Sequence, residues 1–452
     1  MSTMKLRLLL RPVCHATLLL ACGVALAQGP ASAGPSPLPP GAATAPAAGE
    51  ASASDTTILS VADLATWVQR HNPNLRAALQ GQDAAAAAVT SASALPNPEL
   101  EAGSGQARAR LPGAQVGNLG SWAISQRLEN PSMRTARIDG ARHGLEGSRQ
   151  QVAATANELA ARVRLRAYEV LLRQEEAAAA GDALALLEQI RDRVRTRVQS
   201  GEAPRYESIK ADAEVVTARQ RMSAARLAVD QAMLSIDQLA AGRLPARWRL
   251  AASLGDAQDL PSIEQLQREA QQNNPELSVL RADVSRQEAR LREARASRLP
   301  GVQLRYGEFR EVDIRQQMVG VSVSLPLLDQ RRGPIDEAAA ELARARTRLE
   351  GRGTELSLQI RSAGAALEAA RLRVDALGRG ALPEAEAVLR VAQAAYRFGE
   401  RGILDVLDAQ RLLRTVRADL IDARFRLQAA AVELEFLAGR YAPPDAAVIP
   451  RP

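Results

Sequence analysis

The chain has 452 residues, a formal net charge of +7 and a hydrophobic fraction of 46%, which describes a folded protein larger than one ordinary domain. Aromatic residues make up only 3%, too few for the stacking surfaces that bind nucleic acid. The basic residues are almost all arginines that alternate with acids, the pattern of a solvated helical face. With only three histidines, a histidine-built metal or catalytic cluster is not expected. We predict no nucleic-acid partner, no metal site and no cofactor.

Residues 1–27 have the three-part organisation of a secretory signal peptide. Two processing sites compete at its end. Ala25-Leu26-Ala27 is a small-x-small cleavage site, whereas Leu19-Leu20-Ala21-Cys22 resembles a lipobox that would make Cys22 an acylated first residue. Both alternatives stay open. Because Cys14 and Cys22 both lie in this leader, we expect no disulfide in the mature chain.

Residues 28–57 are rich in Pro, Ala, Gly and Ser, a composition that cannot bury a core and predicts a semi-extended linker. Residues 442–452 form a short tail. After the leader, no stretch of 18 apolar residues occurs, so we expect no transmembrane helix. If the mature chain enters a membrane, it must do so through strands that close into a barrel.

The second half of the chain repeats the first, and the repeats cover 58–243 and 260–441. Asn72-Pro73 recurs as Asn274-Pro275, and Leu95-Pro96 recurs as Leu299-Pro300. The last helix of each half carries a seven-residue apolar period. Its core positions are Val406, Leu413, Leu420, Leu427 and Leu434 in the second half, and Ser208, Val215, Met222, Val229 and Ile236 in the first. This period predicts coiled-coil packing of antiparallel helices.

Each repeat predicts the same order of elements: two short helices, two strands, a very long helix, a glycine-containing tip and a closing helix. The long helical hairpins are predicted at 132–241 and 334–438. Their first helices are predicted to be very long, at about 132–199 and 334–397. At 1.5 Å per residue such helices would span about 100 Å. A compact enzyme has little use for helices of that length, so we predict that the protein is not an enzyme.

Four strands are predicted, at about 97–107, 118–129, 301–312 and 317–328. The last alternates with period two, because Val319, Val321, Val323 and Leu325 point one way and Gly320, Ser322 and Ser324 the other. Each run has about the ten residues of a tilted transmembrane strand. A soluble four-stranded sheet is the alternative. In lipid, four strands would have to close with strands of other subunits, because open edges are not tolerated there.

Three segments resemble TolC-like outer-membrane efflux proteins: Leu95–Leu100, Ile124–Glu129 and Tyr396–Gln410. The first two look most like the cobalt–zinc–cadmium resistance branch of that family. The resemblance covers nearly all of residues 58–441. It implies a mainly α fold with a small β part, in which long antiparallel coiled-coil helices form an α-helical tunnel. It also implies four transmembrane strands per chain that contribute to a trimeric 12-stranded β-barrel.

The resemblance further implies a passive export duct in the outer membrane of a Gram-negative bacterium, with its helical tunnel in the periplasm. Its partners would be a homotrimer of the chain, a periplasmic membrane-fusion adaptor, an inner-membrane RND-type pump and outer-membrane lipid. Divalent heavy-metal cations are the leading cargo. Export of drugs or small organic molecules, or type I protein secretion, is the alternative within the family. A periplasmic coiled-coil adaptor or scaffold is the alternative of another class.

The family's gate positions correspond to Asp405 and Asp408, two acids near the periplasmic mouth of the tunnel. Three copies of each would form carboxylate rings that favour cations. The alternative is that they are ordinary helix-start acids that complement the helix dipole.

The same resemblance makes Tyr396 and Arg401 latch candidates, and their aligned first-half residues are Tyr206 and Glu207. We expect a Tyr396–Glu207 hydrogen bond and an Arg401–Tyr206 contact in the closed state. The tips at 200–207 and 398–405 are the expected adaptor-docking surface, with the residues Gly201, Glu202, Gly399, Glu400 and Gly402.

Overall fold

The computed structural model describes residues 56–110, 112–113, 115–256 and 260–443. The predicted signal peptide with Cys22, nearly all of the 28–57 linker and most of the 442–452 tail lie outside the described residues. The described chain is mainly helical with two small sheets, so the prediction of a mainly α fold with a small β part is confirmed. None of the described helices combines the length and the hydropathy needed to cross a membrane.

The two repeats contain the same elements in the same order, apart from two short strands and one interruption. The first half contains β1 (Thr57–Leu59), α1 (Val61–His71), α2 (Pro73–Ser93), β2 (Glu99–Ala107), β3 (Gly117–Leu128), α3 (Pro131–Gln199), α4 (Arg205–Leu239) and β4 (Trp248–Leu250). The second contains α5 (Ile263–Asn273), α6 (Pro275–Ala296), β5 (Gly301–Arg310), β6 (Arg315–Ser324), α7 (Arg332–Asp375), a π-helix (Ala376–Ala381), α8 (Leu382–Arg397) and α9 (Ile403–Leu437). The parallel pair β1–β4 was not predicted from the sequence.

A buried asparagine marks the same place in both repeats. Asn72 Oδ1 accepts two amides of the first turn of α2, and its Nδ2 donates to the Leu239 carbonyl at the end of α4 over 2.8 Å. Asn274 caps α6 in the same way and donates to the Leu437 carbonyl at the end of α9 over 2.9 Å. Each side chain thus joins the start of one helix to the end of the closing helix, so the sequence repeat is also a structural repeat.

The long helix of the first half is continuous, whereas that of the second half is not. Asn130 caps α3, Pro131 occupies its first turn, and the helix then runs for 69 residues. The one very long helix predicted at about 334–397 is instead divided, because a π-helix separates α7 from α8. Gly378 and Gly380 lie in this segment, and glycine stabilises the competing α-helical conformation less than other residues except proline.

The four-stranded sheet has the order β2-β3-β5-β6, with every neighbouring pair antiparallel. Its register separates two faces. One is apolar and exposed, and it carries Ile124, Leu128, Leu304, Tyr306, Val319, Val321 and Val323. The other is polar, and there Arg305 pairs with Glu101 at 2.5 Å. The predicted last strand, 317–328, runs four residues past the end of β6 at Ser324, because Pro326 cannot donate to a ladder.

The helices lie side by side in one order near the sheet and in another near the tips. Near the sheet, α2 packs against α3, α3 against α6, and α6 against α7. Near the tips, α4 packs against α3, α3 against α9, and α9 against α8. One hydrophobic cluster joins α3, α4, α8 and α9 at the tips, and three further clusters lie closer to the sheet. First-half elements therefore occupy one edge at every level, and second-half elements the other.

Candidate gate at the helical tips

The two hairpin tips are built by the same helix-ending motif. After α3, Gly201 adopts a φ of +81°, and the Glu202 amide donates to the Arg197 carbonyl at 2.9 Å. After α8, Gly399 adopts a φ of +77°, and the Glu400 amide donates to the Ala395 carbonyl at 3.0 Å. Glycine is favoured at both positions because a side chain is strained in this left-handed conformation. Gly402 then caps α9 in an extended conformation.

The structure brings one predicted latch pair together. Tyr396 is buried near the end of α8, and its hydroxyl donates to Glu207 Oε2 in the first turn of α4 at 3.4 Å. Burial, followed by the nearby Glu207 charge, raises the pKa of Tyr396 above its ordinary value of 10. The phenol is therefore neutral and able to donate at neutral pH. The bond joins the second-half tip to the first-half tip.

The other expected contact is absent. Arg401 lies 3.7 Å from Asp405, four residues further along the chain. No hydrogen bond, ion pair or ring contact joins Arg401 to Tyr206 in the described part of the chain, and Tyr206 is largely exposed. Within one chain the structure does not bring Arg401 and Tyr206 together, and their contact stays a prediction for the closed assembly. Arg401 lies in the tip turn just before Gly402, the N-cap of α9, where it pairs with Asp405 in the first turn of that helix.

Sequence reasoning missed the cation that does join the tips, Arg197 in the last turn of α3. Its Nη1 donates to the Tyr396 carbonyl at 3.0 Å, and its guanidinium lies 4.8 Å from the centre of the Tyr396 ring. Its Nε also lies 3.6 Å from Glu202 in the first-half tip. The sequence carried only a weak signal, because Arg197 is one of several arginines at the end of α3. Its contacts depend on a residue 199 positions away.

The two predicted gate acids each lie beside an arginine. Asp405 occupies the first turn of α9, where the helix-dipole alternative also places it, and it pairs with Arg401. Asp408 is exposed and lies 3.1 Å from Arg411 Nη1. Arg411 also donates a hydrogen bond to Glu214 of α4. That bond raises the pKa of Arg411 above its ordinary value. The acids are thus held on one face of α9, next to a second link between the two hairpins.

No group of three or more acidic, histidine or cysteine side chains within the described ranges is arranged to hold a metal ion. The acids of one chain lie on separate turns and pair with arginines. The arrangement offers exposed carboxylates at the tips and no enclosed coordination site.

Two segments of the chain, 67–242 and 266–440, match the family described as outer membrane efflux protein. The cobalt-zinc-cadmium resistance protein CzcC of Cupriavidus metallidurans is 25% identical over 371 residues, covering 82% of this chain and 87% of CzcC. A membrane protein from Pseudomonas aeruginosa superposes with a TM-score of 0.73 at 20% identity, covering 85% of this chain and 91% of that one. CusC superposes with a TM-score of 0.74 at 17% identity, covering 84% and 92%. Because the matched segments cover more than half of the chain, this protein belongs to the outer membrane efflux protein family.

Proposed function

We infer that the protein is the outer-membrane channel of a tripartite export system, and that it works as a homotrimer with its helical tunnel in the periplasm. The family match over both repeats supports the channel assignment. The trimer is inferred from two unpaired lateral edges of the chain. Elements of the first half form one edge, and elements of the second half form the other.

The sheet and the helical layer share the same two lateral edges, one on the first-half side and one on the second-half side. Within the described sheet, β2 and β6 each have one neighbour only, so each leaves a row of backbone groups unpaired. On the first-half side, α4 exposes an apolar row of Ile209, Val216, Leu227 and Leu234. On the second-half side, α7 and α8 expose Leu358, Leu372 and Val391.

These edges differ, so a contact between them is heterologous. The first-half edge of one copy would meet the second-half edge of the next, and such a contact forms a ring when its rotation closes. Three copies of the sheet would give a 12-stranded barrel, as the family resemblance implies. The exposed apolar face of the sheet, on which Val319 is 80% exposed, would then face lipid.

The tips would form the periplasmic mouth. In a trimer, Asp405 and Asp408 would each be present three times around the axis, and rings of carboxylates favour cations. The tip turns at Gly201–Glu202 and Gly399–Gly402 would meet the membrane-fusion adaptor, which links the duct to an inner-membrane RND-type pump. We propose divalent heavy-metal cations as cargo, supported by the similarity to the cobalt-zinc-cadmium resistance protein CzcC.

Two measurements test this function. The first is membrane fractionation followed by light scattering of the detergent-solubilised protein, for which we expect an outer-membrane trimer. Recovery as a monomer without detergent would instead support a periplasmic scaffold or adaptor.

The second measurement is growth of a deletion strain on zinc, cobalt, cadmium, dyes and antibiotics. We expect sensitivity to the divalent metals, restored by the intact gene. Sensitivity to dyes and antibiotics alone would contradict the cargo assignment and keep the duct.

A further inference from the structure

A cavity of about 230 Å³ lies between α9 and the α3–α4 hairpin, beside the hydrophobic cluster of the tips. The buried side chains of Leu187, Leu407 and Leu413 line it. Five alanines also line it: Ala179, Ala180 and Ala183 of α3, Ala218 of α4 and Ala418 of α9. Because alanine methyl groups are too short to fill the space between three helices, they leave a mainly apolar cavity there.

One buried amide borders this cavity. Gln410 lies in α9 three residues after Leu407, and both side chains line the cavity. Only 7% of Gln410 is exposed, and its Oε1 has no hydrogen-bond partner within the described chain. A buried acceptor without a donor is unfavourable, and such groups are uncommon in folded proteins. An apolar side chain of similar size would avoid this cost, so we expect the donor to come from a molecule in the cavity.

Two comparable positions lack this combination of a buried amide and a cavity. Val406 aligns with Ser208 in the repeated heptads, so Gln410 aligns with Asp212, which pairs with Arg195 at 2.7 Å. Gln428 is also buried in α9 with an unpaired Oε1. Its Nε2, however, donates to the carbonyls of Leu254 and Asp256, so packing of the chain explains that side chain.

The size and charge of the cavity define the class of ligand. An apolar cavity of about 150 Å³ holds one benzene ring, so the larger cavity here accommodates a substituted ring. Four arginines and three acids also line it. Of these, Arg411 pairs with Glu214, and Arg417 pairs with Glu386 of α8 at 3.0 Å. Because the charges nearly balance and the remaining walls are apolar, the cavity favours an uncharged ligand.

We propose that this cavity binds a small uncharged phenol, whose ring packs among the alanines and leucines while its hydroxyl donates to Gln410 Oε1. The ligand would contact α3 and α4 of the first repeat and α9 of the second. Its binding should therefore stabilise the packing between the repeats. The site is separate from the predicted gate acids, and the inference does not depend on the channel function.

The test compares 4-bromophenol with 4-bromotoluene, in which a methyl group replaces the hydroxyl. The readout is the thermal unfolding midpoint of the detergent-solubilised full chain at pH 7, where a phenol is uncharged. We expect 4-bromophenol to raise the midpoint by about 2–4 °C more than 4-bromotoluene does. Gln410→Leu should raise the midpoint of the ligand-free protein and abolish the advantage of 4-bromophenol.

Two further variants control for detergent and for packing. Both probes partition into detergent, and Gln410→Leu carries the same detergent, so the difference between the variants reports the protein site. Gln428→Leu is the matched control, because it makes the same substitution in α9 away from the cavity and should keep the advantage of 4-bromophenol. Ala183→Met places a longer side chain in the cavity and should reduce the response to both probes.

A crystal of the full chain soaked in 4-bromophenol locates the probe through the anomalous scattering of bromine. We expect a bromine peak between α3, α4 and α9. A peak only elsewhere, or side chains of a neighbouring copy filling the cavity, would overturn the proposal. An advantage of 4-bromophenol that persists in Gln410→Leu would exclude the amide as the ligand contact. No response to either probe would mean that water alone satisfies Gln410.

Discussion

Arg197→Met is expected to loosen the contact between the two hairpin tips. The substitution keeps much of the side-chain length and its apolar stem while it removes the guanidinium. It therefore abolishes the 3.0 Å hydrogen bond to the Tyr396 carbonyl, the stacking on the Tyr396 ring and the 3.6 Å pair with Glu202. The Tyr396–Glu207 hydrogen bond is left in place. The variant thus isolates the cation that sequence reasoning missed.

The size of the effect follows from these three contacts. A hydrogen bond from a charged donor contributes about 1.5–3 kcal/mol, and an exposed cation–π contact about 0.5–1 kcal/mol. The Glu202 pair adds little, about 0–1 kcal/mol, because the Glu202 side chain is 63% exposed. The total is about 2–5 kcal/mol, or about 30- to 4000-fold in the equilibrium between joined and separated tips, since about 1.4 kcal/mol is tenfold.

Amide hydrogen exchange of a peptide covering 394–402 measures that equilibrium directly, without relying on the channel function. Its protected amides include those of Phe398 and Glu400, which donate within the tip turn. Arg195→Met is the matched control, because Arg195 lies two residues away and pairs with Asp212 of its own hairpin at 2.7 Å. Exchange that rises equally in both variants, or in neither, would refute the assignment of Arg197 as the joining cation.

Three further predictions concern the helical body. Asn274→Ala removes a helix cap and leaves the Leu437 carbonyl without its donor, so amides at the start of α6 should lose about 2–4 kcal/mol of protection by hydrogen exchange; unchanged protection would contradict the structural repeat. Gly439→Ala should lower the thermal unfolding midpoint, because a φ of +78° strains a side chain whose Cβ would lie 3.0 Å from backbone atoms; an unchanged midpoint would mean that the turn relaxes freely. Arg440 lowers the pKa of Glu269 below its ordinary value of 4.5, so the stability that the charged pair adds is present above about pH 4.5 and is lost as the pH falls below it. Urea unfolding of wild type and Glu269→Gln should therefore differ at pH 7 and converge in acid, and a gap that persists at low pH would exclude this pair as its source.

Local patterns predicted most of the fold. The recurring asparagine–proline pairs begin α2 and α6, because an asparagine cap and a first-turn proline favour a helix start in any context. The period-two alternation at 319–325 placed the valines of β6 on one face of the sheet. The parallel pair of β1 with β4 was not predicted, because each strand has only three residues and its partner lies almost 200 positions away.

The site was predicted less completely than the fold. The tip glycines follow from local chemistry, since a helix end in the left-handed conformation selects glycine. The family resemblance predicted the Tyr396–Glu207 bond, whereas the Arg401–Tyr206 contact that it also implies is not formed within one chain. Arg401 instead lies beside Asp405, an acid close to it in the sequence. Arg197 could not be selected among its neighbouring arginines, because nothing near it in the sequence identifies Tyr396 as its partner.

The sequence by itself determined the duplication, the heptad seams, the helix caps and the two-faced strands, because each depends on residues within a few turns of one another. Only the tertiary structure decided which helices lie side by side and which arginine joins the tips. Those outcomes depend on distances between residues far apart in the chain, and such distances are fixed only when the hairpins pack.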